Sequence, residues 1–214
     1  MSAINDIDVT CDNCGEIFPG TIYTAIHAKL DPELKDLMLG GELNILMCTF
    51  CAHLFFYDHF LLYQDPASEV IAYIYPEKER EHLADLHKSM LLSYKEAQSA
   101  LEPKDRNAYE PILIFGLENA IEFLKQEELD VEEMEVAEAI CQKNGIPVVK
   151  IPPAEARIRK IPRVLPTTGS VSSADRISIL SGIKHLLEIN PTLTQYSQFA
   201  KVLEATPHWK IHFQ

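Results

Sequence analysis

Two short cysteine pairs, Cys11-Asp12-Asn13-Cys14 and Cys48-Thr49-Phe50-Cys51, constrain this chain more than any other feature of it. Residues 15–47 separate them. Two C-x-x-C units at that distance suit one tetrahedral site of the ribbon type, in which each pair grips one side of an ion. The spacing predicts Cys11, Cys14, Cys48 and Cys51 as ligands of a structural Zn2+. Iron in the same geometry and a redox pair of thiols are the alternatives. A redox C-x-x-C opens a helix in a βαβ context, and neither pair here does so. Four protein ligands close the zinc shell, so no water is activated there.

Charge narrows the role of such a site. The net charge of −13 is uneven: residues 1–76 carry 2 basic and 11 acidic side chains, and residues 77–145 carry 8 and 17. Residues 146–214 carry 9 and 4 and are net basic. A ribbon that binds nucleic acid needs Lys and Arg around the metal to neutralise phosphates. The first segment offers only Lys29 and Lys35, so nucleic-acid binding by the ribbon is disfavoured. No run of 18 apolar residues suggests a membrane span. The N-terminus lacks the basic and apolar regions of a signal peptide, so a cytoplasmic location is expected. In that reducing compartment close cysteine pairs read as metal ligands rather than disulfides.

The hydrophobic pattern predicts an α+β fold. Val9-Thr10 reads as a strand entering the first knuckle, and residues 21–30 alternate as a half-buried strand. Asp31-Pro32-Glu33 reads as a helix start capped by Asp31, with Gly40-Gly41 as its end. Strands are expected at 43–47, 54–57, 60–63 and 70–75. The first 76 residues are therefore expected to form an antiparallel sheet with one inserted helix. Period then shifts to three or four residues over 77–101, an amphipathic helix. Ile112–Phe115 reads as a strand. Two helices are expected next, 117–125 and one capped by Asp130 that ends near Asn144. Five prolines between Ile146 and Ser170 suggest an extended basic connector. Ser172 or Ser173 is expected to cap a helix carrying Ile177, Leu180, Ile183, Leu186 and Leu187 on one side. A last helix follows near 194–205, and the tail from Trp209 to Phe213 suggests a short strand. The expected organisation is a body at 1–145, a connector at 146–170 and a helical extension at 171–214.

These landmarks carry a family resemblance. With Cys11, Gly15, Leu30-Asp31-Pro32-Glu33-Leu34-Lys35, Gly41-Glu42-Leu43-Asn44 and Cys48, the chain resembles the CpXC domain family. That family has two Cys-Pro-x-Cys motifs flanking a strand and a helix of Leu-Asp-Pro-Glu-Leu type. The likeness is good over roughly 8–76 and looser over 109–143. It implies a zinc-ribbon-like domain with Cys11, Cys14, Cys48 and Cys51 as ligands, and it implies no particular activity. Asp12 and Thr49 stand where the family has proline, and Ala52 replaces the small glycine after the second knuckle. That proline only stiffens the turn, so ligation does not depend on it.

Other residues invite chemistry and are weighed against plainer roles. His53 suits a half-exposed strand position, with a contact to a thiolate as the alternative. Glu79-x-x-His82, with His87 nearby, is half of a di-iron helix motif, and no second copy exists. His208 and His212 lack a cysteine or carboxylate partner nearby in sequence. Cys141 lies on an apolar helix face and reads as an inert core thiol. The run Arg157-Ile158-Arg159-Lys160-Ile161-Pro162-Arg163 is expected to pair with the chain's own acidic body; a phosphate, nucleic acid or acidic partner is the alternative. No Gly-rich phosphate loop and no nucleophile elbow appears. The expected function is a non-catalytic zinc-binding interaction or scaffolding module whose partner is another protein or a second copy of itself. The aromatic strands from Leu54 to Tyr75 are one candidate partner surface. An enzyme with a site between the sheet and the C-terminal helices is an alternative, as is a nucleic-acid binder acting through 157–163.

Overall fold

A computed structural model of the 214-residue chain describes residues 2–210. The fold is α+β, in two compact units, Met1–Lys125 and Gln126–Gln214. The first unit is built on a five-stranded sheet of order β1-β2-β5-β6-β7: β1 (Ala3–Thr10), β2 (Ile17–His27), β5 (Leu61–Asp65), β6 (Val70–Tyr75) and β7 (Ile112–Phe115). A separate two-stranded ribbon pairs β3 (Ile45–Met47) with β4 (Leu54–Phe56).

The expected all-antiparallel sheet is corrected. β1–β2 and β5–β6 are antiparallel, but β2 pairs with β5 and β6 with β7 in parallel. The physical reason lies in the connections. Parallel neighbours need a crossover of a dozen or more residues. Between β2 and β5 lie helix α1 (Pro32–Leu39) and the β3–β4 ribbon; between β6 and β7 lies helix α2 (Leu83–Ser99). Short alternating strands fix which residues face inward, and they carry no sign of direction.

One sheet face buries Ile26, Leu61, Tyr63, Val70, Ala72 and Ile74 against Leu34 and Met38 of α1 and against Ala120 and Leu124. The last two belong to helix α3 (Leu117–Asn144), which is continuous. The expected helix break and Asp130 cap are absent, because no Gly or Pro occurs between Leu117 and Asn144. Asp130 instead accepts from the Gln126 side-chain amide one turn earlier (Nε2 to Oδ1, 2.9 Å). Asp31 does precede α1, yet its carboxylate takes the Ser2 hydroxyl at 2.6 Å rather than capping the helix. The end of α1 is as expected. The Gly41 N–H reaches Met38 O and the Glu42 N–H reaches Leu37 O, with Gly41 at φ +73°, a left-handed helix stop.

In the second unit, the segment 146–170 carries β8 (Val148–Lys150), helix α4 (Pro153–Arg159) and β9 (Val164–Pro166), with β8 and β9 antiparallel. Helices α5 (Arg176–Ile189) and α6 (Thr194–Ala205) complete it. The cap of α5 is Asp175, not Ser172 or Ser173, which lie in a short 3-10 turn; Asp175 and Ser178 form a reciprocal capping box. Ile179, Ile183 and Leu186 of α5 pack with Leu165, Tyr196, Phe199 and Leu203, whereas Ile177 is exposed. Gly182 allows the closest approach: a Cβ there would stand 2.5 Å from the Pro166 carbonyl. Among the described residues no helix is long and apolar enough to cross a membrane. The expected strand at 209–213 falls largely outside the described residues; Trp209 packs edge-on against Phe199 at 5.6 Å.

A buried ionic cluster holds this unit together. The Glu127 carboxylate receives Arg157 in two bonds of 2.8 and 2.9 Å and Arg163 at 2.5 Å. Arg163 and Glu127 are both buried, so removing the carboxylate would strand a guanidinium away from water. Glu127→Ala should therefore cost about 3–5 kcal/mol. The single tryptophan, Trp209, reports this in a urea titration of fluorescence; an unchanged midpoint would show that the carboxylate does not hold the cluster.

Candidate metal centre

The two cysteine pairs occupy equivalent loops. β1 and β2 register Thr10 opposite Ile17, so residues 11–16 form the hairpin turn. β3 and β4 register Met47 opposite Leu54, so residues 48–53 form the second. The backbone bonds match. Cys11 N–H donates to Glu16 O and Cys48 N–H to His53 O, both at 2.9 Å. Gly15 N–H donates to Cys11 O and Ala52 N–H to Cys48 O, at 3.0 and 2.9 Å. The residue after each second cysteine is left-handed, Gly15 at φ +76° and Ala52 at φ +57°. Ala52 thus adopts the conformation that glycine takes in the first knuckle, at a cost in strain.

Close packing brings the loops together. Gly20 on β2 lies where a Cβ would meet Val9 at 3.0 Å and Leu46 of the ribbon at 3.1 Å. Val9, Cys11, Phe18 and Cys48 form a small core, joined by Leu46, Phe55 and Tyr57. Phe18 and Phe55 meet edge to face at 6.2 Å. Asn44 fixes the second hairpin's entry: its side chain accepts from Tyr23 N at 2.8 Å and donates to Tyr23 O at 3.0 Å, while its own carbonyl accepts from Tyr57 N. The Gly41-Glu42-Leu43-Asn44 stretch therefore has a structural reason, a helix stop followed by a side-chain bridge onto β2.

The result is convergence of four sulfurs. All four Sγ atoms lie within 4.8 Å of one another. Cys11 and Cys51 sulfurs are 3.7 Å apart, as are those of Cys14 and Cys48. A sulfur tetrahedron around zinc, with Zn–S of about 2.3 Å, has edges of about 3.8 Å, whereas a disulfide needs about 2.05 Å. The donor set and its spacing fit a tetrahedral ion. Cys11 and Cys48 are buried, and Cys14 and Cys51 are exposed.

Electrostatics points the same way. Four thiols this close cannot all ionise without a compensating cation. The Asn13 side-chain amide, 3.6 Å from the sulfur, and then the His53 backbone N–H bring the Cys51 thiol down to about 6. Cys14 is pushed up to about 12: the Glu16 backbone N–H is its largest single influence and lowers it, but partial dehydration and the sulfurs of Cys51, Cys11 and Cys48 together outweigh that. One thiolate therefore forms readily and suppresses another. A bound dication removes that conflict, because it favours the thiolate at every ligand. Phe50 N–H adds a further bond to Cys48 Sγ at 3.4 Å. The roles of Asn13, Asn44 and Gly20 escape a reading of the cysteines alone. Only the repeated six-residue turn hints that the residues between the sulfurs also act on them.

The remaining candidates stay apart from this centre. His53 is exposed; its ring lies 3.2 Å from the Asp12 carboxylate and stacks on Phe55 at 6.1 Å. Glu79 and His82 lie in an exposed 3-10 turn, His82 beside Glu81 at 3.5 Å. His208 is exposed, and His212 lies outside the described residues. Cys141 is buried, and that burial pushes its thiol up to about 11. Of the 157–163 run, Arg157 and Arg163 grip Glu127 and Arg159 pairs with Glu155 at 2.9 Å. Among the described residues, Cys11, Cys14, Cys48 and Cys51 form the one cluster of metal-binding type.

A family model described as "CpXC protein" matches residues 9–138, well over half of the chain. The match includes α2, which lies outside the two regions of likeness read from the sequence. No curated protein and no solved structure matches the chain.

The two knuckles allow a paired test of backbone strain. A left-handed alanine costs about 1–2 kcal/mol, partly offset because glycine loses about 0.4–1 kcal/mol more on folding. Ala52→Gly should stabilise the metal-loaded protein by about 0.5–1 kcal/mol, and Gly15→Ala should destabilise it by a similar amount. Opposite shifts in urea midpoint bear this out; shifts of the same sign would contradict the equivalence of the turns.

Proposed function

This chain belongs to the CpXC protein family, and from that premise we propose that it is a cytoplasmic, structural-zinc protein of the zinc-ribbon type. Its role on this reading is non-catalytic: a protein-interaction or scaffolding module. The observation that carries the proposal is the convergence of Cys11, Cys14, Cys48 and Cys51 at tetrahedral spacing. Four thiolates complete the shell of a zinc ion, which then contributes folding energy and cannot activate a water. The β3–β4 hairpin needs that contribution most. Three-residue strands such as β3 and β4 do not hold a ribbon unaided, and the core between the hairpins is small.

A nucleic-acid role through residues 157–163 has less support. Three of its four cations already face carboxylates, which leaves Lys160 for phosphate. The spans 6–20 and 42–58, which hold both knuckles, contain no Lys or Arg. Phosphate neutralisation therefore has no source at the centre itself.

The proposal predicts one zinc per chain by elemental analysis of protein grown without added metal. Chelation, or Cys14→Ser, should abolish cooperative unfolding of the knuckle hairpins and remove protection of their amides in hydrogen exchange. The sheet core around Tyr63 should lose much less. Full protection of residues 9–18 and 45–56 in the stripped protein would contradict a structural metal.

A further inference from the structure

The β3–β4 ribbon turns one face inward and leaves the other bare. Leu46 and Phe55, paired across the ribbon, pack on Phe18 and Val9. The opposite face carries the cross-strand pairs Ile45–Phe56 and Met47–Leu54. All four are exposed, Met47 and Leu54 by about 60% (59% and 62%), and Phe50 at the knuckle tip is 64% exposed. Alternation in a ribbon ordinarily puts polar residues on the solvent side. Here four apolar side chains stand together there, on the order of 400 Å² of surface, with the exposed Phe50 at the adjoining knuckle tip; a patch of this size on a monomer is often functional.

Charge around this face identifies its occupant. The ribbon is flanked in the chain by Glu42 and Asp58, the facing knuckle carries Asp12 and Glu16, all four are exposed, and the spans 6–20 and 42–58 contain no Lys or Arg. A four-thiolate zinc centre would add about −2. Two copies meeting through this face would bring like charges together. They would also bury less than the roughly 800 Å² per partner of a stable dimer. A short segment with apolar side chains flanked by Lys or Arg satisfies both the apolar plaque and its acidic border.

We propose that the exposed face of the β3–β4 ribbon, centred on Met47, Phe50 and Leu54, docks a cationic, apolar peptide segment of another protein. This deepens, and rests on, the interaction-module reading above. Zinc then has a second consequence: by fixing the knuckles it sets the register that puts Ile45, Met47, Leu54 and Phe56 on one face, since a slip of one residue would turn them inward.

The test uses the full-length, zinc-loaded, isotope-labelled chain and a synthetic nonapeptide alternating Leu and Lys. Two control peptides replace every Lys by Glu or every Leu by Ser. The expected result is saturable amide shifts confined to 45–56 and neighbouring residues, at least tenfold weaker binding by either control, and weaker binding in high salt. The double variant Phe50→Ser, Leu54→Ser should bind at least tenfold more weakly with unchanged zinc content and circular dichroism. Equal binding by wild type and variant, shifts centred elsewhere, or no binding would overturn the proposal. So would sedimentation showing a dimer that the double variant dissolves, which would give the face to a second copy. Zinc content measured on the same samples separates failure of the metal reading from failure of this one.

Discussion

Everything near the knuckles depends on four cysteine sulfurs meeting at one place. Each hairpin delivers one buried and one exposed sulfur through the same six-residue turn, so the two hairpins approach each other as near copies. Without a cation this arrangement is self-defeating, since a thiolate at Cys51 opposes ionisation at Cys14. Attraction to a shared dication reverses the sign of that interaction. The four-sulfur cluster therefore suits a shared dication, which would remove that conflict.

The dependence is local. The small core between the hairpins has four fully buried apolar residues, two of them ligand cysteines. By contrast the sheet core uses Ile26, Leu61, Tyr63 and Ile74 with helix residues, and the second unit packs Ile179, Ile183, Leu186 and Tyr196. Those cores are far larger than the one between the hairpins and draw on the hydrophobic effect rather than on a metal. The second unit adds its own polar anchor, Glu127 between two arginines. The expected pairing of the basic run with the chain's own acidic stretch is met at Glu127, which takes Arg157 and Arg163 from 30 and 36 residues away. Arg157 and Arg163 find their carboxylate within their own unit.

What could be read in the sequence followed from local chemistry. The cysteine spacing, the Pro32 start and Gly41 stop of α1, the strand ending at Pro76 and the strand at Ile112–Phe115 all arise from residues adjacent in the chain. The misreadings have a common source. Strand direction at β2–β5 and β6–β7 is set by crossovers tens of residues long, and alternation contains no information about it. Asp130 reads as a cap because its type favours caps, but an unbroken run of helix formers around it wins. Asp31 sits at a cap position, yet the Ser2 hydroxyl takes its carboxylate, a partner 29 residues away. Asn13 and Asn44 act through geometry that appears only when both hairpins are in place.

The central claim is that four sulfurs and nothing else surround one ion. X-ray absorption at the zinc edge of the purified, full-length protein tests it most directly. The account predicts a single shell of four sulfur scatterers at about 2.3 Å, with no nitrogen or oxygen in the first shell. A shell containing nitrogen or oxygen ligands, or a purified protein with no zinc to measure, would contradict it.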